Sequence, residues 1–73
     1  MKNYRIYAKF PNMSTFKALD ISKGVCVDNL IYATIICSEE LGKAQDYLKQ
    51  VKQDQPSIYL QIRETTNKTI FSI

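Results

Sequence analysis

Over Tyr4–Phe10 the side chains sort with a period of two. Tyr4, Ile6, Ala8 and Phe10 fall on one side, and Arg5, Tyr7 and Lys9 on the other. Successive strand side chains point to opposite faces, so this pattern predicts a half-buried strand over Tyr4–Phe10. Pro11, Asn12, Met13 and Ser14 end it with turn-forming chemistry. A shorter strand is predicted over Phe16–Ile21, then a turn at Ser22, Lys23 and Gly24, with Gly24 taking the positive φ. Val25 and Val27 read as an irregular arm. Asp28 and Asn29 punctuate the chain before LIYATIIC, Leu30–Cys37, whose β-branched content predicts a third strand.

The period then changes. Leu41, Ala44, Leu48 and Val51 recur at spacings of three and four and so share one face of a helix, with Tyr47 bordering the stripe. Ser38 is the expected N-cap; Glu39 and Glu40 in the first turn and Lys49 and Lys52 in the last suit the helix dipole. Pro56 is the expected stop. Gly42 is discordant, costing about 1 kcal/mol relative to Ala; a close approach to the sheet or tolerance in a frayed first turn would each account for it. Alternation returns over Ser57–Arg63, with Ile58, Leu60 and Ile62 facing in and Tyr59, Gln61 and Arg63 facing out. Glu64–Lys68 predicts a hairpin turn, with Asn67 suited to the left-handed conformation, and Thr69–Ile73 a last strand. The order β-β-β-α-β-β with short links implies an α+β fold. It predicts a mostly antiparallel sheet of four to five strands, one helix packed on one face, and a single domain over residues 1–73.

The third strand bears on function. Its two faces, Leu30, Tyr32, Thr34, Ile36 and Ile31, Ala33, Ile35, Cys37, are both apolar, as in a strand covered on both sides. A single helix covers only one. Placing it over Ile31, Ala33 and Ile35, where the small Ala33 admits a close approach, leaves the side of Tyr7 and Tyr59 open. The expected outer surface is then Arg5, Tyr7, Lys9, Tyr32, Thr34, Tyr59, Gln61 and Arg63, an aromatic centre with a basic border and the residue types in which binding energy concentrates. Two plainer readings stand beside it. Tyr and Thr are good strand formers, and the 22–29 arm could fold over the same face.

Composition narrows the classes. A chain of 73 residues buries only about 60% of its unfolded surface, so it gains from a partner or from self-association. Apolar residues at 45% and charged residues at 23%, with two Gly and two Pro, describe an ordinary globular chain. The net charge of +3 arises wholly before Ser38, where Lys2, Arg5, Lys9, Lys17 and Lys23 face only Asp20 and Asp28. This biases the protein toward anionic partners but falls short of a strong nucleic-acid binder. Met1 and Lys2 lead into a strand and not into an apolar run, so a cytoplasmic protein with no secretion signal or membrane span is expected, with Cys26 and Cys37 reduced and packed as small hydrophobes.

Candidate chemistry is mostly negative. There is no His, hence no Ser-His-Asp or Cys-His arrangement and no ready general base. Gly24 and Gly42 stand apart and form no phosphate loop, and two Cys without His make a poor zinc site. Glu39-Glu40 suits a helix start better than acid–base work, and Cys37 is the one thiol that a helix dipole could activate. The expectation is therefore no enzyme, no catalytic residue, no metal, no cofactor and no small-molecule substrate. Two classes fit the outer surface. One is protein binding, to a second copy in a homodimer or to a target. The other is single-stranded nucleic-acid binding, with Tyr stacked on bases and Arg and Lys on phosphates. The modest charge and the lack of an RNA-binding signature favour protein.

The runs FKALDISKG, NLIYATIICSEE and YLQIRE resemble pieces of short, uncharacterised proteins carried by plasmids and mobile elements of Gram-positive bacteria. The resemblance spans most of the chain from Tyr4 onward and implies no activity. Within the protein-binding class it implies one option, an inhibitor of host defence of the anti-CRISPR kind, since such proteins are often compact, non-enzymatic and dimeric.

Overall fold

In the computed structural model, which describes residues 2–73, the chain forms β1 (Asn3–Lys9), β2 (Lys17–Asp20) and β3 (Val25–Val27), then a 3-10 turn (Leu30–Tyr32) and β4 (Ile36–Cys37). A second 3-10 turn (Ser38–Glu40) runs into α1 (Leu41–Asp54), and β5 (Tyr59–Glu64) and β6 (Thr69–Ser72) close the chain. Met1 lies outside the described residues. The sheet is antiparallel and has six strands, more than the four to five expected, in the order β3-β2-β1-β5-β6 with β4 paired to β1. One edge of β1 is paired by β5 from Tyr4 to Lys9. The other is shared: β2 pairs at Tyr7 and Ala8, and β4 at Asn3 and Tyr4.

Register follows the alternation. Ile6 lies opposite Ile62 and Ala8 opposite Leu60, so these four share one face. The helix stripe settles on that face: Ala44 and Leu48 are buried with Tyr4, Leu19, Ile36 and Ile58, while Leu41, Tyr47 and Val51 pack around them. Each fully buried large aliphatic here, such as Ile6, Leu48 or Ile62, stabilises the fold by about 1.5–3 kcal/mol.

Local chemistry closes the links. Gly24 has φ +67° and Asn67 φ 72°, and their amides donate to Asp20 O (2.8 Å) and Glu64 O (2.7 Å). The Asp20 carboxylate accepts from the Ser22 hydroxyl at 2.7 Å and the Ser22 amide at 3.1 Å, which ties the β2–β3 turn and holds the carboxyl below its usual range, the hydroxyl contributing most. The helix ends two residues before Pro56, where the Gln55 amide donates to Val51 O at 2.8 Å.

Three expectations are corrected. Ser38 is not the N-cap, because the chain leaves β4 extended at Cys37 and turns there, which puts Ser38 inside the first turn. Glu40 reaches back instead, accepting from the Cys37 thiol at 3.1 Å and, more distantly, from its amide at 3.4 Å. Leu30–Cys37 is not a continuous strand: only Ile36 and Cys37 pair. The Asn29 side chain accepts from the Ile31 amide at 3.1 Å and winds Leu30–Tyr32 into a 3-10 turn. The edge of β1 is already taken by β2, so these residues have no ladder to join. The helix accordingly does not cover Ile31, Ala33 and Ile35. Ile31 and Ile35 are exposed, Ala33 is buried on the opposite side of the sheet, and Ile36 is the residue under the helix.

Gly42 is exposed, and a β-carbon there would meet nothing within 4 Å. Close approach is thus not its reason. Gly42→Ala should raise the unfolding free energy by about 0.5–1 kcal/mol, whereas Leu48→Ala should lower it by about 2–4 kcal/mol through the cavity it leaves. Urea denaturation measures both; a loss below about 0.5 kcal/mol for Leu48→Ala would contradict the packing described.

Candidate functional site

The face away from the helix is not the open platform that alternation alone suggests. Tyr7 does point away from Ile6 and Ala8, but it is only 6% exposed. It packs with Ala18 and Ala33, and Phe16 and Val27 close around them in a second, smaller apolar cluster. The cover comes from β3 and from the residue just after the 3-10 turn, so the self-covering reading holds in part. The segment is tied down at Thr34, whose amide donates to Leu19 O (3.2 Å) and whose hydroxyl accepts from the Ile21 amide (2.9 Å). Thr34 is thereby committed to the backbone of β2 and the turn that follows it.

Arg63 completes this cover. It lies diagonally across from Tyr7, which pairs with Gln61. Its guanidinium stands 4.4 Å from the Tyr7 ring centroid and 5.4 Å from that of Phe16, and its Nε donates to Gln61 Oε1 at 2.9 Å. Stacking on two rings with one nitrogen held fixes the orientation of the guanidinium plane. Arg5 lies directly opposite Arg63 across the β1–β5 ladder. Its Nε is buried and has no hydrogen-bond partner among the described residues.

The remaining candidates separate. Lys9 pairs with Tyr59, and its ammonium stands 5.6 Å from that ring centroid, while Lys52 from α1 stands 4.8 Å from the same centroid. The Lys52 ammonium also donates to Ile58 O at 2.6 Å. Tyr32 sits in the 3-10 turn at 65% exposure, beside Leu30 at 45% and Ile31 at 76%. The structure therefore gathers Arg5, Tyr7, Gln61 and Arg63 into one group and Lys9 and Tyr59 into another, places Tyr32 on a separate projection, and uses Thr34 internally. The sequence places Leu30 on the uncovered side, where it is exposed, but also Ile36, which is buried; it missed Ile31 and Ile35 as surface, and the pairings of Phe16 and Lys52 in cation–ring contacts. The one signal for the exposed turn was Asn29, a residue that caps 3-10 and α turns as readily as it ends loops.

The thiols are not activated. Cys37 lies before the helix, but its sulfur donates to Glu40 (3.1 Å) and Glu39 (3.5 Å). Those carboxylates favour the neutral thiol and push its pKa up, Glu40 most strongly. Burial raises that of Cys26. Lys17 and Asp28 pair at 2.7 Å, which raises the lysine and lowers the carboxylate, each chiefly through that hydrogen bond. On the helix side Tyr47 lines two depressions of about 290 and 180 Å³. The larger is lined by Ile21, Ile35 and Ala44 together with Glu40 and Lys43. Among the described residues no three His, Cys, Asp or Glu come together as a metal site, and no helix is long and apolar enough to cross a membrane. No protein-family model, curated protein or solved structure matches this chain.

Two outcomes follow from this geometry. Tyr7→Ala should cost about 3 kcal/mol of stability, whereas Tyr7→Phe should stay within about 0.5 kcal/mol, because the ring and not the hydroxyl makes the contacts; thermal denaturation of the two variants checks this. Cys37 should be alkylated slowly at neutral pH, since a raised pKa leaves little thiolate there. Glu40→Gln removes the dominant cause, lowers that pKa and should speed alkylation; rates that do not change on substitution would contradict the contact.

Proposed function

We propose that this protein is a non-enzymatic protein-binding module. Its contact surface centres on the Leu30–Tyr32 turn and continues onto the sheet face around Arg5, Arg63 and the Lys9–Tyr59 pair. The observation that carries the reading is the turn itself, where three consecutive large apolar side chains project into solvent on a tethered loop. A fold this small gains nothing from exposing them unless something covers them. The turn is continuous with the basic face, because Ala33 immediately after it packs on Tyr7, over which Arg63 lies.

A specific feature counts against single-stranded nucleic acid. Stacking needs open ring faces. Tyr7 is buried and Arg63 stands over Tyr7 and Phe16, which removes the centre of the sheet as a stacking platform; Tyr59, with Lys9 and Lys52 beside its ring, stays 57% exposed at the sheet corner. Tyr32 is the ring on this surface left without such a cation. Protein partners include a second copy of the chain and a foreign target. The resemblance to mobile-element proteins suggests a host protein, with a defence nuclease of the CRISPR kind as one class and inhibition as the mode of action.

Affinity capture from host lysate, with and without nuclease, tests the reading together with sedimentation of the protein alone. Ile31→Ser combined with Tyr32→Ala should weaken capture or self-association by about 2 kcal/mol, roughly thirty-fold, while leaving the melting temperature within a degree or two, since both side chains are exposed. Capture that disappears with nuclease treatment would transfer the surface to nucleic acid.

A further inference from the structure

We propose that Arg5 and Arg63 form a carboxylate-binding fork, so that the partner reaches this face with a segment rich in Asp or Glu. The inference rests on the binding-module reading and names the chemistry of its partner. Arg5 and Arg63 are directly opposed on neighbouring strands and point to the same face. Like charges at that spacing repel, and sheets ordinarily avoid them or supply an acid nearby. Here no acid is supplied. The ion pairs among the described residues are Lys2–Glu64 and Lys17–Asp28, and neither involves these arginines. Both side chains are partly buried, which sharpens the repulsion by excluding water.

Arg5 adds a second, independent observation. Its Nε is enclosed with no acceptor among the described residues, which costs free energy and leaves the terminal nitrogens as the part of the guanidinium that an incoming carboxylate would grip. Arg63 adds preorganisation: Gln61 holds its Nε, and Tyr7 and Phe16 hold its plane. The terminal nitrogens of Arg63 find no acceptor among the described residues. A planar guanidinium already fixed in place loses little entropy on gripping a carboxylate, and the match of the two forks is bidentate. Phosphate shares this chemistry. A carboxylate on a polypeptide is favoured here because the neighbouring turn offers the aliphatic Leu30 and Ile31 beside Tyr32, which an acidic chain bearing apolar side chains would cover, whereas a nucleic acid would find only Tyr32 to stack on.

The test is a titration of the full-length ¹⁵N-labelled protein, reading the Nε–Hε signals of Arg5 and Arg63. The probes are a short acetylated peptide of alternating Glu and Leu, its Gln and Leu counterpart, inorganic phosphate, and a short oligothymidylate. The Glu peptide should shift both signals saturably and the Gln peptide should not. Arg5→Lys and Arg63→Lys, which keep the charge and remove the fork, should each weaken binding about tenfold. Arg5→Lys keeps the test readable if Arg63→Lys loosens Tyr7, which the backbone amide spectrum would report. Equal binding of the two peptides, no saturable shift, or full affinity in Arg5→Lys would overturn the proposal, and tighter binding of phosphate or oligothymidylate would replace it with a phosphate site. Failure of the binding-module reading looks different. If partner capture survives the lysine variants but is lost on changing Ile31 and Tyr32, the module stands and the carboxylate fork falls; if capture survives both sets, the module reading falls with it.

Discussion

One edge of β1 has two tenants, and the rest of the architecture adjusts to that. β2 occupies Tyr7 and Ala8, and β4 occupies Asn3 and Tyr4. The chain between them must leave the ladder and come back to the same edge. It does so through the Asn29-capped 3-10 turn and returns at Thr34, which is tied by its amide to Leu19 and by its hydroxyl to Ile21. The excursion passes over the sheet face opposite the helix and leaves Ala33 buried there. Backbone groups in a buried segment need partners, and the Thr34 contacts supply them where no strand continues. The apolar run is thereby divided: Ile36 joins the main core, Ala33 joins the second cluster, and Leu30, Ile31, Tyr32 and Ile35 are left in solvent.

A fold with one helix must still close the other face of its sheet. The molecule uses a cation for this. Arg63 lies over Tyr7 and Phe16, with Gln61 holding its Nε. Its aliphatic stem and flat guanidinium serve as apolar cover while the charged edge remains polar. The same device recurs at the sheet corner, where Lys9 and Lys52 flank Tyr59. Of the aromatic residues that look like a recognition platform when read along a strand, Tyr7 is therefore structural, with Arg63 presented outward above it, while Tyr59 remains exposed. This shifts the centre of the candidate surface from the tyrosines of the sheet to the arginines above them and to the turn beside them.

The result is a surface with an apolar projection next to uncompensated positive charge. Each part has a structural origin, the projection in the shared edge and the charge in the cover of the second face. Together they resemble the make-up of protein interfaces, in which apolar anchors sit beside Arg and Tyr. The helix side is of another kind: its depressions are lined mainly by apolar side chains, with Glu40 and Lys43 the charged residues lining the larger. Cys37, the group there with most chemical promise by position, is held in its neutral form by Glu39 and Glu40.

By itself the sequence determined what depends on neighbours a few residues away. The period-two alternation of Tyr4–Phe10 and Ser57–Arg63 placed Ile6, Ala8, Leu60 and Ile62 inside; the three-and-four spacing of Ala44 and Leu48 found the helix face; Gly24 and Asn67 located the left-handed turns, because only such residues take that conformation cheaply. Leu30–Cys37 was illegible for a physical reason: an apolar run without periodicity suits a doubly covered strand and an irregular segment equally, and the choice fell to whether a strand edge was free to receive it. Whether Tyr7 was open or covered, and whether Arg5 met a carboxylate or another arginine, depended on distances between residues remote in sequence. Those are properties of tertiary packing, since burial and Coulomb interactions act through space and are blind to order along the chain.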